Sequence, residues 1–379
     1  MSEQDAYDPA AERDAVGGKA DSPVPTKKWT LLFYGAGDNN LGDEIVTAVN
    51  TFESVGSTQD VNFLAFYDHS TLKAARVFLE KDDDTSKITS PGIQQLGDVD
   101  SGAPSTLTSF ASWAINTYPA EHYALIIDSH GGTYPQQIAF DDGSNHAMSL
   151  TDLWQAVDYI AQRTHEKLDV LAGDTCLTQT VEQAYELRLD AKRIVMSENL
   201  DYGWDYGTIA KGLVARPGQT EDDLAKAMVA AYNPPADGSM SSVAPAHIAT
   251  LADALDGLAG VVMSELQRDP SVKDQILQIA STVYRPYEGE QYADVIDLAN
   301  KLIALNASPE LTEAATTVKT AAQAVVRTSK HTGELDGANG ITVFAPQTLD
   351  EDHLAEYRVS RFAHETTWDE MIAAVYGLE

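Results

Sequence analysis

Cysteine is nearly missing from this chain. Cys176 is the only one in 379 residues, which excludes an intramolecular disulfide and leaves the fold to a hydrophobic core. Positive charge is also scarce. Twenty-five Lys and Arg face 58 Asp and Glu, a formal net charge of −33, and the pI is about 4.4. That balance excludes nucleic acid and anionic membrane as partners, and it would draw cationic ones. It also suits solubility or adaptation to high salt. Closely spaced Cys/His clusters are lacking, which excludes a structural zinc. No apolar run approaches the ~18–20 residues that cross a bilayer, so no membrane insertion is expected. The start, Met1 to Asp8, lacks a basic segment followed by an apolar core. The expectation is therefore a cytoplasmic protein as written, or a secreted or cell-envelope one if a leader was removed.

What is present reads as globular: 43% apolar and 22% charged residues, enough for one large α/β domain with additions or for two domains. Residues 1–27 are acidic and polar, the composition of a disordered arm. From Trp29 onward, apolar runs of strand length alternate with stretches of helical period. The strands are Trp29–Tyr34, Val61–Asp68, Tyr123–Asp128, Leu168–Ala172 and Arg193–Ser197; a short antiparallel strand is expected at Ala74–Leu79. Ser105–Tyr118 reads as a helix, 137–145 as a hairpin arm, and Ser149 with Asp152 as a capping box opening another helix. Near-continuous apolar strands separated by amphipathic helices imply a parallel sheet covered on both faces. The core is placed at 28–232. A helix at 219–232 closes that core, and a helix-rich extension, 233–379, has helices at 251–267, 292–305 and 309–326, with further strands at Ala246–Thr250 and Gly340–Pro346.

Two strand ends carry chemistry. Leu168–Ala172 runs into Gly173-Asp-Thr-Cys176, and a helix-like segment Leu177–Leu189 follows, so Cys176 would open a helix whose N-terminus lowers a thiol pKa. Forty-six residues earlier, Tyr123–Asp128 runs into Ser129-His130-Gly131-Gly132. Reactive groups of parallel sheets gather at such carboxyl ends. His130 and Cys176 thus form a candidate base and nucleophile, with glycine N–H groups available to a developing oxyanion. A lone cysteine is more often a small buried hydrophobe and a lone histidine more often structural; position is what singles these two out.

These stretches resemble a known family. Tyr34-Gly-Ala-Gly-Asp-Asn-Asn-Leu41, Asp128-Ser-His-Gly-Gly132, Gly173-Asp-Thr-Cys176, Glu182–Leu187, Ser197-Glu198 and Gly203-Trp-Asp-Tyr206 look like the clostripain-type cysteine peptidases. The likeness covers roughly residues 28–215. It implies a caspase-like fold, a three-layer α/β sandwich with a mostly parallel central sheet. It also implies His130 as base, Cys176 as nucleophile, and the backbone N–H groups of Gly131 and Cys176 as oxyanion hole. The family cleaves after Arg or Lys. Asp174 matches its principal specificity acid, with a second at Asp201 or Asp205, of which Asp205 is preferred. The other reading of Asp174 is a cap for the helix after Cys176.

Two departures qualify the likeness. Cys176-Leu-Thr-Gln-Thr180 is polar where the family commonly has a methionine. Gly131 to Gln162 contains no Lys or Arg, so self-cleavage after a basic residue in that loop is not expected, and a single-chain enzyme is. No cofactor is required on this reading. Calcium, on which some relatives depend, has candidate acids at Asp82–Asp84, Asp98/Asp100 and Asp141–Asp142, none in an EF-hand pattern. The expected partner is a peptide or protein substrate with basic residues, and the enzyme itself is expected to be a monomer. The rival readings are a catalytically silent scaffold that binds basic peptides, and acyl transfer through the same thioester.

Overall fold

The computed structural model describes residues 25–378 except 134–135, 166, 234–236, 288–290 and 334. The acidic arm expected at 1–27 therefore lies almost wholly outside the described residues, and the boundary expected at 232/233 adjoins an undescribed stretch.

In chain order, β1 (Lys27–Gly35) leads to α1 (Gly42–Val55), β2 (Val61–Tyr67), β3 (Ala74–Phe78) and β4 (Gln94–Gly97). Next come α2 (Pro104–Thr117), β5 (Ala120–Asp128), and an antiparallel arm of β6 (Gly131–Thr133), β7 (Gln136–Asp141) and β8 (His146–Ser149). Then follow α3 (Leu150–Thr164), β9 (Leu168–Asp174), α4 (Val181–Glu186), β10 (Ala191–Met196), α5 (Tyr206–Ala215) and α6 (Glu221–Ala231). The remainder is β11 (Ser239–Val243), α7 (Ile248–Arg268), α8 (Val272–Thr282), β12 (Tyr292–Asp294), α9 (Val295–Leu305) and α10 (Pro309–Val325). It closes with β13 (Val326–His331), β14 (Thr342–Phe344), α11 (Glu351–Tyr357), α12 (Arg361–Glu365) and α13 (Trp368–Tyr376).

Nine strands form one sheet in the order β13-β11-β10-β9-β5-β1-β2-β3-β4. The five central strands are parallel, and two antiparallel strands flank them on each side. Alternation within each strand divides the core. Leu32, Tyr34, Leu64, Phe66, Leu125, Ile127 and Leu171 pack under α2, α3, α7 and α10. Their neighbours Leu31, Phe33, Phe63, Ala65, Ala124, Ile126 and Val170 pack under α1, α5 and α6. Burying each large apolar side chain contributes about 1.5–3 kcal/mol, which is why the central strands read as unbroken apolar runs. The result is the three-layer α/β sandwich that the resemblance implies. Ser149 caps α3 in a capping box with Asp152, as its spacing requires.

Several expectations fail in the C-terminal third. Ala246–Thr250 is not a strand; it spans a single 3₁₀ turn, Pro245–His247, and the start of α7. The strand beside β10 is instead β11, whose Ser-Met-Ser-Ser-Val sequence gives little apolar signal. β13 was hidden by an alternating pattern directly following a helix. Thr342–Phe344 is a strand, but it lies outside the main sheet, paired antiparallel with β12 and bridged at Thr342 to Thr180. α8 and the three short terminal helices were not foreseen. Contrary to the expectation that no segment could span a bilayer, the 245–268 helical stretch is long and apolar enough by length and composition. Its face of Leu251, Leu255, Leu258 and Val262 is buried in the core, and Asp256 accepts hydrogen bonds from the Thr367 backbone and hydroxyl.

Candidate active site

The sheet register brings the two singled-out residues together. Asp128 and Asp174 are directly paired across β5 and β9, each as the last residue of its strand. His130 and Cys176 each follow two residues later, so they leave adjacent strands at the same height and line one cleft of about 920 Å³.

Cys176 does not open a helix. Thr175 to Gln179 is a turn, and α4 begins only at Val181, capped by the Thr180 hydroxyl on the Gln183 N–H. Leu177 takes a left-handed conformation (φ 61°), and three backbone N–H groups latch the turn to the exit of β10: Leu177 to Asn199 O, Thr178 and Gln179 to Ser197 O, each 2.9 Å. The polar run after Cys176 is buried rather than exposed. Thr178 and Thr175 hydroxyls bond each other at 2.8 Å. Tertiary latching has overridden helical propensity here, and with it the idea that a helix terminus lowers the thiol pKa. Burial instead pushes the Cys176 thiol up, against a lowering contribution from the Asp201 N–H, which donates to Sγ at 3.2 Å. Asp174 is correspondingly not a helix cap.

His130 is held by a residue the sequence did not single out. Its Nε2 lies 2.7 Å from Asn40 Oδ1, in the loop after β1. With Nε2–H donated to Asn40, Nδ1 is the ring nitrogen left to take a proton. The ring meets Phe140 of β7 edge-on at 6.2 Å. Gly131, next along, allows close approach: a Cβ there would lie 2.5 Å from the Cys176 carbonyl oxygen, so any side chain would force the two loops apart.

The cleft floor is acidic. Its lining contributes Asp43, Glu44, Asp128, Asp174, Asp201 and Asp205 and, among the described residues, no Lys or Arg. Asp174 and Asp128 are 7% and 9% exposed. The Tyr206 hydroxyl stands between them, 2.5 Å from Asp174 Oδ2 and 3.0 Å from Asp128 Oδ2. Asp201, bonded to the Gly203 N–H and the Trp204 indole, also hydrogen-bonds Asp174. Burial pushes the Asp174 carboxyl up to about 6. Asp128 and Asp201 are pushed well above the usual range, by burial first and then by the Asp174 charge. Tyr206 has one hydrogen for two acceptors, so the empty pocket retains at least one carboxyl proton. Asp205 sits apart. It is exposed, caps α5, and its carboxylate accepts from the Thr208 N–H (2.9 Å) and hydroxyl (2.6 Å). Those bonds hold its pKa low.

The loop Gly35–Asn40 is the turn after β1 at the cleft rim, as its sequence suggests. Of the expected calcium acids, Asp82 and Asp84 accept local bonds from Thr89 and Ser86, while Asp98 and Asp100 pair with Lys73 (3.0 Å) and His146 (2.7 Å). Asp141 alone joins a carboxylate cluster, with Asp38 and Asp68. Of the other histidines, His122 and His353 also face acids, Asp169 and Asp350, away from the cleft.

Comparison with known proteins agrees with this geometry. The sequence profile of the clostripain family matches residues 33–374. Clostripain of Hathewaya histolytica is 25% identical over 236 residues, 52% of this chain and 44% of that protein, so the chain matches under half the length of this curated relative. Two solved structures share the fold. A secreted C11 cysteine protease from Bacteroides thetaiotaomicron bound to an irreversible peptide inhibitor superposes with a TM-score of 0.66 at 20% identity, covering 91% of this chain and 99% of that one. An inactive zymogen C11 protease from Parabacteroides distasonis gives 0.66 at 18% identity, with the same coverage. With the profile matching nearly the whole described chain over a caspase-like sheet, the chain belongs to the clostripain family of cysteine peptidases.

Proposed function

We propose that the chain is a cysteine endopeptidase that cleaves after arginine or lysine. The observation that carries this reading is a single cleft holding His130 and Cys176 above a buried carboxylate floor, with no basic lining residue among the described residues. A guanidinium or ammonium group fits such a floor because its positive charge can take the place of the proton on Asp174. Asp174 and Asp201 are its partners, with Asp128 behind them through Tyr206. Asp205, already committed to its helix, is left out.

In the reaction, His130 Nδ1 takes the Cys176 thiol proton as Sγ attacks the carbonyl carbon. The oxyanion is received by the N–H groups of Gly131 and Cys176, and the same proton passes to the leaving amine. Water then hydrolyses the thioester, with His130 again as base. Because burial keeps the thiol protonated, the base must act during attack rather than on a preformed thiolate. The protein substrate and an export destination follow the family: one structural neighbour carries a bound peptide inhibitor and is secreted.

A panel of fluorogenic peptides with Arg, Lys, Asp, Asn or Leu before the cleaved bond tests this reading, beside Cys176→Ala and Asp174→Ala. Turnover is expected for Arg or Lys only, absent in the first variant, and reduced at least about thirtyfold in the second, since removing one partner of a desolvated ion pair costs about 2–5 kcal/mol. Equal cleavage after Leu would overturn the pocket. The protonated thiol also suits a silent module that binds basic peptides. An arginine-containing peptidyl electrophile that fails to label Cys176 would favour that second reading.

A further inference from the structure

A second groove, of about 600 Å³, adjoins the catalytic cleft, and Tyr202 borders both. Part of its lining is the segment that leaves β10, with Asn199, Leu200 and Tyr202. The rest comes mainly from the C-terminal extension, including Pro286, Tyr287 and Leu335, well beyond residue 215 where the sequence likeness ends. The chain carries a net charge of −33, yet Tyr202 and Tyr287 leave 45% and 54% of their surface exposed here. Among the described residues six large apolar side chains are exposed, and these two line the groove. Arg285, also in the lining, turns its guanidinium onto backbone carbonyls, donating to Tyr292 O (3.1 Å) and Ala280 O (2.8 Å). Exposed aromatic rings around a concavity suit apolar or aromatic side chains, because they offer a large contact area at little conformational cost.

We propose that this groove binds an apolar, preferably aromatic, side chain of the substrate, carried within the three residues that precede the basic one. The inference rests on the reading of the cleft as a peptidase site and adds a second determinant of substrate choice. The sheet order sets the direction of the bound chain. β5, β9 and β10 are neighbours in that order, so His130, Cys176 and the 199–202 segment follow one another across the strand ends. His130 must reach the leaving amine, which puts the leaving half of the substrate on the β5 side of Cys176. The acyl half, with the residues before the cleaved bond, then runs out over the exit of β10 and towards the groove. Three extended residues span about 10 Å. One residue also ties the groove to the nucleophile. The Asn199 carbonyl accepts the Leu177 N–H that latches the Cys176 turn (2.9 Å), while the Asn199 amide donates to the Tyr284 hydroxyl at 2.7 Å. The Tyr284 N–H donates in turn to Asp297 Oδ2 at 2.7 Å, which anchors the segment leading to Pro286 and Tyr287 on α9. An entering side chain therefore meets a lining already held in place.

The test uses the full chain and coumarin amides of acetyl-X-Gly-Gly-Arg, acetyl-Gly-X-Gly-Arg and acetyl-Gly-Gly-X-Arg, with X as Phe, Leu, Gly, Asp or Lys. At one of the three positions Phe should exceed Gly in kcat/KM by about tenfold, the effect of desolvating one apolar side chain, with Leu between them. In Tyr287→Ala that ratio should fall towards one, and in Tyr287→Phe it should be kept. A merely structural role for the ring would change all the peptides alike and leave the ratio where it was. No preference for Phe over Gly at any position, Asp or Lys preferred to Phe throughout, or a ratio unchanged in Tyr287→Ala would overturn the groove. The same peptides as plain carboxamides are titrated calorimetrically into Cys176→Ala, where binding does not depend on turnover. The favoured Phe peptide should bind about tenfold more tightly than the Gly peptide, and adding Tyr287→Ala should remove the difference. That difference without turnover in the parent chain would sink the dyad assignment and leave the groove standing. Turnover after arginine without the difference would sink the groove and leave the dyad standing.

Discussion

Filling the acidic pocket should expel protons, and by an amount that can be counted. Asp174 is 7% exposed and its carboxyl is pushed up to about 6 by burial, so at pH 5 it is only about one-tenth ionised and at pH 7 about nine-tenths. A guanidinium requires the ionised form. Binding of a small ligand such as acetyl-arginine amide to Cys176→Ala should therefore tighten about tenfold from pH 5 to pH 7. It should release about 0.9 proton at the lower pH and about 0.1 at the higher. The stability sign follows from the same numbers. A carboxyl whose folded pKa lies above its unfolded value of ~3.9 contributes stability that is fully present below pH ~4 and lost as pH rises through ~6. The loss is about 3 kcal/mol for a two-unit shift. The ligand restores it, so its thermal stabilisation should be larger at pH 7 than at pH 5. Calorimetry in two buffers of different ionisation enthalpy counts the protons directly. Equal affinity at pH 5 and 7 with no buffer-dependent heat would refute the shared-proton pocket. The nucleophile is absent from the variant, so titration of Cys176 does not blur the reading.

Three further outcomes are expected. Asn40→Ala should lower kcat about ten- to a hundredfold with little change in KM, because it frees the His130 ring while leaving the pocket intact; stopped-flow single turnovers check this, and an unchanged kcat would remove Asn40 from the mechanism. Gly131→Ala should abolish turnover while near-native circular dichroism is kept, since its Cβ would meet the Cys176 carbonyl at 2.5 Å and spread the two loops. An active preparation should run as one band on a denaturing gel, because residues 131–162 offer no Lys or Arg to cut; two stoichiometric fragments would contradict it.

What the sequence alone determined is local and periodic. Trp29–Tyr34, Val61–Tyr67, Tyr123–Asp128 and Leu168–Ala172 are apolar because both their faces are buried, so the parallel sheet was legible from composition. His130 and Cys176 were legible because each follows such a strand, with Gly131 next to His130 and Gly173 three residues before Cys176. The tertiary structure decided what depends on register and latching. Cys176 lies in a turn rather than a helix, because three backbone bonds to Ser197 and Asn199 outweigh the helical propensity of Leu177 to Thr180. Asp201, rather than the sequence-preferred Asp205, reaches Asp174, because Asp205 is held as the cap of α5. Asn40, Asp128 and Tyr206 join the site from three separate elements, β11 and β13 join the sheet without an apolar signal, and Asp38, Asp68 and Asp141 converge from the ends of three strands. Such meetings are set by long-range pairing and core packing, and no window of neighbouring residues encodes them.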